Sequence, residues 1–469
     1  MMDRVRKMEE FVEGFVPEMM REGKIPGFSI AVIASGEVVY AMGFGSRDPA
    51  RSLPATPDTL YGIGSCTKSF VSAAIMQLAE DGALKLTDPA SKYIPLKIGL
   101  SGKPVTIHSL LTHSSGIPSL ATSRVALQRG IGLDMGVPWG GVDDFYRLVN
   151  GAQGEIAGEP GHLFFYNNAA FRMLGHVIQE VSGVPFHRYM TENIFEPLGL
   201  ERTTLVKGEY LSDPDRMTPH WKKPDGSIVP TEFPYPDVTD NPGFSFIAAA
   251  GGIVSSVKEL TTYLQMNMGG GLLGGTRILS PESVELMHTL HTDSPPNLHG
   301  RFGYGYGWNI TPDYHGHKLV SHGGSILVST AHLAFIPDLK YGVAMAANSA
   351  GPQYSAIADG VFTLLMGKEP EEAAPAIRIK RKMRSLEGAY ETYRGICRVE
   401  VVNKGGILHL VTETPFTDTS TPLIPEEDDQ EGDRYYTLID GLKAPIWFDV
   451  RSPTDIDLYV ERYRYHKKG

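Results

Sequence analysis

Cysteine is nearly missing from this chain, with two in 469 residues, Cys66 and Cys397. Two distant thiols build no disulfide framework, and free thiols suit a reducing compartment, so a cytoplasmic location is expected. There is no run of about 18 apolar residues, and hence no candidate membrane-spanning helix. The N-terminus lacks an apolar signal core: Met1 to Lys7 is charged and leads into an amphipathic pattern of Met8, Phe11, Val12, Phe15, Val16 and Met19. Nor is there an excess of positive charge. Lys and Arg number 43 against 54 Asp and Glu, net −11, which excludes the electrostatics of a nucleic-acid or anionic-membrane binder. His315 and His317 alternate on one segment but have no nearby cysteine or acidic set, so no metal and no cofactor are expected.

What the chain has in quantity is glycine (52) and proline (33), which mark turns and defined loops. Its length calls for a large domain and a smaller one. Phe28 to Ile33 and Val38 to Gly45 read as a hairpin, and strand character returns at Lys318 to His322, Ala331 to Ile336 and Val343 to Ala347. Between them the pattern is mostly helical, clearest over Ala169 to Val181 and after Ser256, where Glu259 completes a capping box. A last helix covers Tyr354 to Met366. Strands from both ends of one domain predict an α+β fold, an antiparallel sheet flanked by helices plus a mostly helical subdomain. The expected boundaries are 1–368 for this domain, 369–384 for a linker centred on the polar, proline-containing stretch Glu369 to Pro375, and 385–469 for the remainder. There the period becomes two, as in Arg398 to Val401, Ile446 to Val450 and Ile456 to Val460, and a small antiparallel β-barrel of roughly seven or eight strands is expected. Glu426-Glu427-Asp428-Asp429 reads as an acidic loop tip.

Three stretches carry chemistry. Ser65-Cys66-Thr67-Lys68 follows Gly62-Ile63-Gly64 and opens a helix whose apolar stripe is Phe70, Val71, Ala74, Ile75 and Leu78. A serine and a lysine three apart share one helix face. The amine can then take the hydroxyl proton and activate a nucleophile that is weak alone, while the helix N-terminus favours a developing negative charge. Tyr166-Asn167-Asn168 precedes the helix at Ala169. A phenol beside a cationic lysine is expected to have a lowered pKa and to share the base role, with the amide of Asn168 supporting the lysine and a substrate carbonyl. His322-Gly323-Gly324-Ser325 ends a strand, where Gly323 and Gly324 let a substrate lie against the strand edge. The Ser325 N–H is expected to join that of Ser65 in an oxyanion hole. Each stretch alone has an ordinary structural explanation: an N-cap serine, an aromatic beside an asparagine cap, a strand-end turn.

In this order the three stretches resemble the serine β-lactamase-like, penicillin-recognising hydrolases, whose Ser-x-x-Lys, Tyr-x-Asn and His-x-Gly motifs match Ser65/Lys68, Tyr166/Asn168 and His322/Gly324. The flanks Leu110 to Gly116, Pro197 to Leu200 and Ala250 to Ser256 are similar too, and the resemblance covers roughly residues 5 to 366. It implies Ser65 as nucleophile, Lys68 and Tyr166 as proton-transfer pair, Asn168 as support and His322 as electrostatic partner. Histidine in the third motif resembles the class C-like esterases and D-amino-acid peptidases of the family, and a mostly neutral ring there argues against an efficient β-lactamase. Ile326-Leu327-Val328 stands where a glycine is common, which predicts a narrower, more apolar acyl pocket. The β-rich tail resembles the lipocalin-like domain of self-compartmentalising, oligomeric archaeal peptidases, with Tyr459, Tyr463 and Tyr465 as candidate subunit contacts. The expectation is therefore a metal-independent serine hydrolase acting on small peptides, with D-residue preference, as a homo-oligomer built through the barrel. The alternatives are a carboxylesterase and a non-catalytic oligomeric scaffold.

Overall fold

The computed structural model describes residues 1–468 except 131, 134, 236, 414–417 and 427–431. The acidic run from Glu427 onward therefore lies outside the described residues. The chain divides into two compact units, Met1–Leu365 and Met366–Gly469.

The first unit is built on a nine-stranded, wholly antiparallel sheet. Its strands are β1 (Gly27–Ala34), β2 (Glu37–Asp48), β3 (Leu53–Pro54), β4 (Thr292–Asn297), β5 (Gly300–Tyr304), β6 (Asn309–Tyr314), β7 (His317–Ser325), β8 (Thr330–Ile336) and β9 (Tyr341–Ala347). They lie in the order β4-β5-β6-β7-β8-β9-β1-β2-β3, so β1 from the N-terminal end pairs with β9 from the far end, Phe28 opposite Ala347. Both strands are buried along their whole length and are apolar but for Ser29, as suits strands covered on two faces. Ala31 and Ile33 join the main helical core, whereas Phe28, Ile30 and Val32 are buried on the other face.

Helices α1 (Met2–Gly23) and α5 (Tyr354–Leu365) pack on each other, while α4 (Val257–Met268) packs on β1, β8 and β9. The helix that matters most is α2 (Thr67–Glu80), entered through a single 3₁₀ turn, Gly64–Cys66. Its residues from Thr67 to Met76 are all buried, polar ones included, so it runs through the core. Beside it lies α3 (Asn168–Ser182), ended by Gly183 in the left-handed conformation.

The stretch expected as a linker is folded. Helix α6 (Pro375–Leu386) occupies most of it, begins with proline at its first turn, and buries Ile377, Met383 and Leu386. Among the described residues the β region of the second unit has nine strands, where roughly seven or eight were expected. They are β10 (Gly388–Glu391), β11 (Arg398–Lys404), β12 (Ile407–Glu413), β13 (Asp418–Pro422), β14 (Ile424–Pro425), β15 (Arg434–Ile439), β16 (Leu442–Ser452), β17 (Asp455–Val460) and β18 (Tyr463–Lys467). The order is β13-β12-β11-β10-β18-β17-β16-β15-β14. The two edge strands β13 and β14 are consecutive in the chain, joined through buried Leu423, so the sheet curls into a nearly closed barrel. Its core holds Met383, Leu386, Tyr390, Phe448, Leu458 and Tyr465. Tyr465 is thus an interior residue, not a surface contact; Tyr463 is exposed, and Tyr459 stacks flat on Trp447 at 4.9 Å. Among the described residues no helix is long and apolar enough to cross a membrane.

Candidate active site

The end of β7 and the turn before α2 meet backbone to backbone. A Cβ on Gly324 would lie 1.8 Å from the Ile63 carbonyl oxygen and 2.9 Å from the Ser65 nitrogen. A Cβ on Gly64, whose φ is +54°, would lie 2.3 Å from the Ser325 nitrogen. Both positions need glycine, because any side chain would force the two segments apart. The backbone nitrogens of Ser65 and Ser325 are brought to one place by this contact, with Ser65 half-buried at its edge.

Lys68 projects from α2 toward Ser65 and is fully buried. Its Nζ lies 3.0 Å from Ser65 Oγ, 2.7 Å from Asn168 Oδ1 and 2.7 Å from the Ala250 carbonyl. It also stands 4.8 Å from the centre of the Tyr166 ring and 5.5 Å from that of Phe171. The two asparagines divide the work. Asn167 caps α3, its side chain accepting the Ala169 N–H at 2.9 Å, which leaves Asn168 free to face the lysine.

Electrostatics in this pocket is set by burial. The Lys68 amine is held well below the usual lysine range, first by desolvation and then by the Arg172 guanidinium. A neutral amine has two N–H donors and one lone pair. The amide oxygen of Asn168 and the carbonyl of Ala250 can only accept, so when the amine is neutral they take its two protons and the lone pair is left for the Ser65 hydroxyl. Tyr166 departs from expectation: its phenol is raised, not lowered, because desolvation outweighs the stabilising Ser65 hydroxyl. Its ring is partly exposed, but the hydroxyl oxygen is buried and makes no hydrogen bond of ordinary geometry. It is a protonated phenol, not a resting phenolate.

His322 is buried, with its neutral form favoured down to about 3 by desolvation and the nearby Lys68. Its Nδ1 is 2.6 Å from the Gly323 carbonyl, which can only accept, so Nδ1 carries the proton. Nε2, 2.9 Å from Tyr304 Oη, therefore accepts from that phenol. Of the third motif, Gly323 and Ser325 are exposed at the strand end, and Leu327 alone of the following apolar triplet projects into solvent, at a φ of +71°.

Four residues of the pocket carried no assigned role from sequence. His113 is buried, accepts the Asn167 N–H at Nδ1 (3.1 Å), and lies 4.4 Å from the Tyr166 ring. Tyr304 holds His322. Arg172 sits one helical turn beyond Asn168, and Tyr235 neighbours Arg172 and lines a cavity of about 310 Å³ with Trp139, Phe244 and Ile247, which Arg129, Lys207, Asp237 and Asp240 also line. Arg172 left the clearest signal: a charge inside the apolar face of α3, at Asn168 plus four. Cys66 donates its thiol to the His322 carbonyl (3.2 Å) and is pushed up to about 12 by burial, so it stays a thiol.

An antiparallel sheet between helical layers, with a serine opening the buried central helix and a lysine one turn on, is the architecture of penicillin-recognising serine proteins. The chain belongs to the beta-lactamase family of serine hydrolases: residues 12–365 match that family, and residues 370–466 match the Pab87 octamerisation domain. It is similar, at 39% identity and a TM-score of 0.89, to the octameric penicillin-binding protein homologue from Pyrococcus abyssi, across 97% of this chain and 99% of that one. It is 27% identical to protein flp of Staphylococcus aureus strain MW2 over 356 residues, 72% of this chain and 63% of flp. It is 29% identical to the putative penicillin-binding protein PbpX of Bacillus subtilis strain 168, over 65% of this chain and 67% of PbpX. The chain thus spans under two thirds of the length of flp.

Proposed function

We propose that the chain is a serine hydrolase that works through an acyl-enzyme on Ser65 and cuts amide bonds of small peptides. The observation that carries this is the 3.0 Å approach of a buried, neutral-leaning Lys68 amine to the Ser65 hydroxyl. Ser65 Oγ attacks the carbonyl carbon as its proton passes to Lys68 Nζ. The carbonyl electron pair moves onto oxygen, toward the N–H groups of Ser65 and Ser325. On collapse the C–N bond breaks, and the leaving amine takes the proton from Lys68, directly or through the Tyr166 hydroxyl. Water repeats the sequence, releases the acid and restores the serine.

His322 bears on the substrate. A neutral ring with both nitrogens occupied offers no charge to a substrate carboxylate, and among the described residues Lys68 and Arg172 are buried on neutral partners. That favours substrates uncharged at this point over carboxylate-bearing penicillins. It also supports the second reading, a carboxylesterase for small esters. Preference for D-residues rests on the family resemblance. A non-catalytic scaffold has no use for a fully buried lysine without a counterion, which costs stability. Assembly as a homo-oligomer through the barrel is supported by the octamerisation-domain match and by the octameric relative.

The test is a hydrolysis screen of D- and L-aminoacyl 4-nitroanilides beside 4-nitrophenyl esters, with Ser65→Ala as control. Turnover of the D-anilides, lost in the variant, is expected. Ester turnover alone transfers the site to the second reading, and equal turnover by Ser65→Ala contradicts both.

A further inference from the structure

Arg172 is a complete guanidinium inside the protein with no carboxylate paired to it among the described residues. It is fully buried. Its Nε donates to the Ile247 carbonyl (3.0 Å), Nη1 to Thr122 Oγ1 (2.6 Å) and Nη2 to Ser123 Oγ (3.3 Å). The guanidinium stands 5.6 Å from the centre of the Trp139 ring and has the Tyr235 hydroxyl as a neighbour. Every one of these partners is neutral. Burying a charge without a counterion opposes folding, so an arrangement that keeps one calls for a reason beyond packing.

The reason lies one turn away. Asn168 and Arg172 share a face of α3, and Asn168 is a direct partner of Lys68. Two buried basic groups of like charge disfavour each other's ionisation in a medium of low dielectric. Burial pulls the Arg172 guanidinium down to about 10, where it is still charged at neutral pH, whereas the Lys68 amine is held well below its usual range, so the lysine is the one that yields. The titratable groups facing the pair are Cys66 from α2, His113 from the short helix Ile107–Leu111 and its following turn, Tyr166 before α3, Tyr235, Tyr304 from β5 and His322 from β7. None is acidic at neutral pH: the thiol and the phenols are raised by burial and both imidazoles are lowered. No negative charge among the described residues offsets the guanidinium.

We propose that Arg172 is a positioning residue whose positive charge adds to burial in holding the Lys68 amine in its unprotonated, proton-accepting form. This rests on the reading of Ser65 and Lys68 as nucleophile and base. With Arg172 charged, Lys68 starts each cycle with its lone pair on the Ser65 hydroxyl. When Oγ bonds to the acyl carbon, Nζ takes the proton and becomes an ammonium beside the guanidinium. The same repulsion makes that ammonium a better acid, which passes its proton to the departing nitrogen or oxygen as that bond breaks.

The experiment uses the full chain and a fluorophosphonate, with intact mass following the Ser65 adduct from pH 5 to 10. Arg172→Lys keeps the charge, whereas Arg172→Gln and Arg172→Met remove it, and thermal melts show which neutral variant is folded. The acid limb of the labelling rate is expected to stay near wild type in Arg172→Lys. In the folded neutral variant it should move up by about one pH unit, about tenfold slower labelling below the limb, and recover above it. A limb that stays in place, or one uniform loss at every pH in both kinds of variant, overturns the inference. So does failure of both neutral variants to fold, since Arg172 then acts through the fold alone. Wild type that takes no label at any pH removes the Ser65 reading itself, and this inference with it.

Discussion

Lys68 is a buried lysine whose partners are all neutral oxygens, and the chemistry of the pocket follows from that. Replacing it by alanine should slow acylation of Ser65 by about 10³-fold or more, and Tyr166→Phe by about 10²-fold to 10⁴-fold. The double variant should lose far less than the product of the two, because the groups move one proton; stopped-flow acylation by a 4-nitrophenyl ester reads all three. The stretches around Ser65, Tyr166 and His322 were legible because motif order and spacing carry them. His113 and Tyr304 were not, since they reach the pocket from separate elements and no local pattern joins them, and Arg172 left only a charge in the apolar face of α3. The sign of the Tyr166 shift was misjudged for a related reason. Spacing showed a cation nearby but not the burial that outweighs it and raises the phenol.

At the level of elements, the site depends on how closely β7 approaches the turn before α2. Gly324→Ala puts a carbon 1.8 Å from the Ile63 oxygen, so the strand end must retreat. A displacement near 1 Å in a site of this kind costs about 10²-fold in rate. Acylation should therefore fall about 10²-fold in Gly324→Ala while far-UV circular dichroism is unchanged; wild-type rates in this variant would show that the strand end does not position the reacting atoms. Elements with unbroken apolar periodicity, such as β1, β9 and α3, could be read directly. Helix α6 could not. The polar stretch from Glu369 to Pro375, with its two prolines, looks like a linker, yet Pro375 starts the helix and Ile377, Met383 and Leu386 are buried on it. The capping box at Ser256 was half right: Ser256 Oγ accepts the Glu259 N–H (3.2 Å), but the Glu259 carboxylate turns to the Arg202 N–H and the Thr203 hydroxyl.

On the scale of the molecule, buried neutral histidines couple the fold to pH. His322 and His288 are both held at about 3, against 6.5 for a free imidazole, and His113 is also lowered. Between pH 6.5 and 3 the unfolded chain binds protons that the native state refuses. Their contribution to stability is therefore complete above pH 6.5 and is lost as pH falls toward 3. Melting temperature should drop between pH 7 and pH 4, and drop less in His288→Gln; an equal drop in both would place the acid sensitivity elsewhere. In the second unit the β15–β16 hairpin ends in exposed Leu438, Ile439 and Leu442 around Asp440-Gly441. An apolar hairpin tip is costly in water and suits a contact with another copy. Leu438→Lys with Leu442→Lys should shift sedimentation toward smaller species without lowering the melting temperature of the monomeric fold; an unchanged sedimentation profile would place the contact on another part of the barrel.

The most direct measurement is peptide mapping of the intact protein after reaction with a fluorophosphonate at pH 8. One phosphonyl group per chain is predicted, on the peptide that carries Ser65, and none in Lys68→Ala on the same timescale. Label spread over other serines, or equal labelling of Ser65 without the lysine, would contradict the claim that a buried amine activates this hydroxyl.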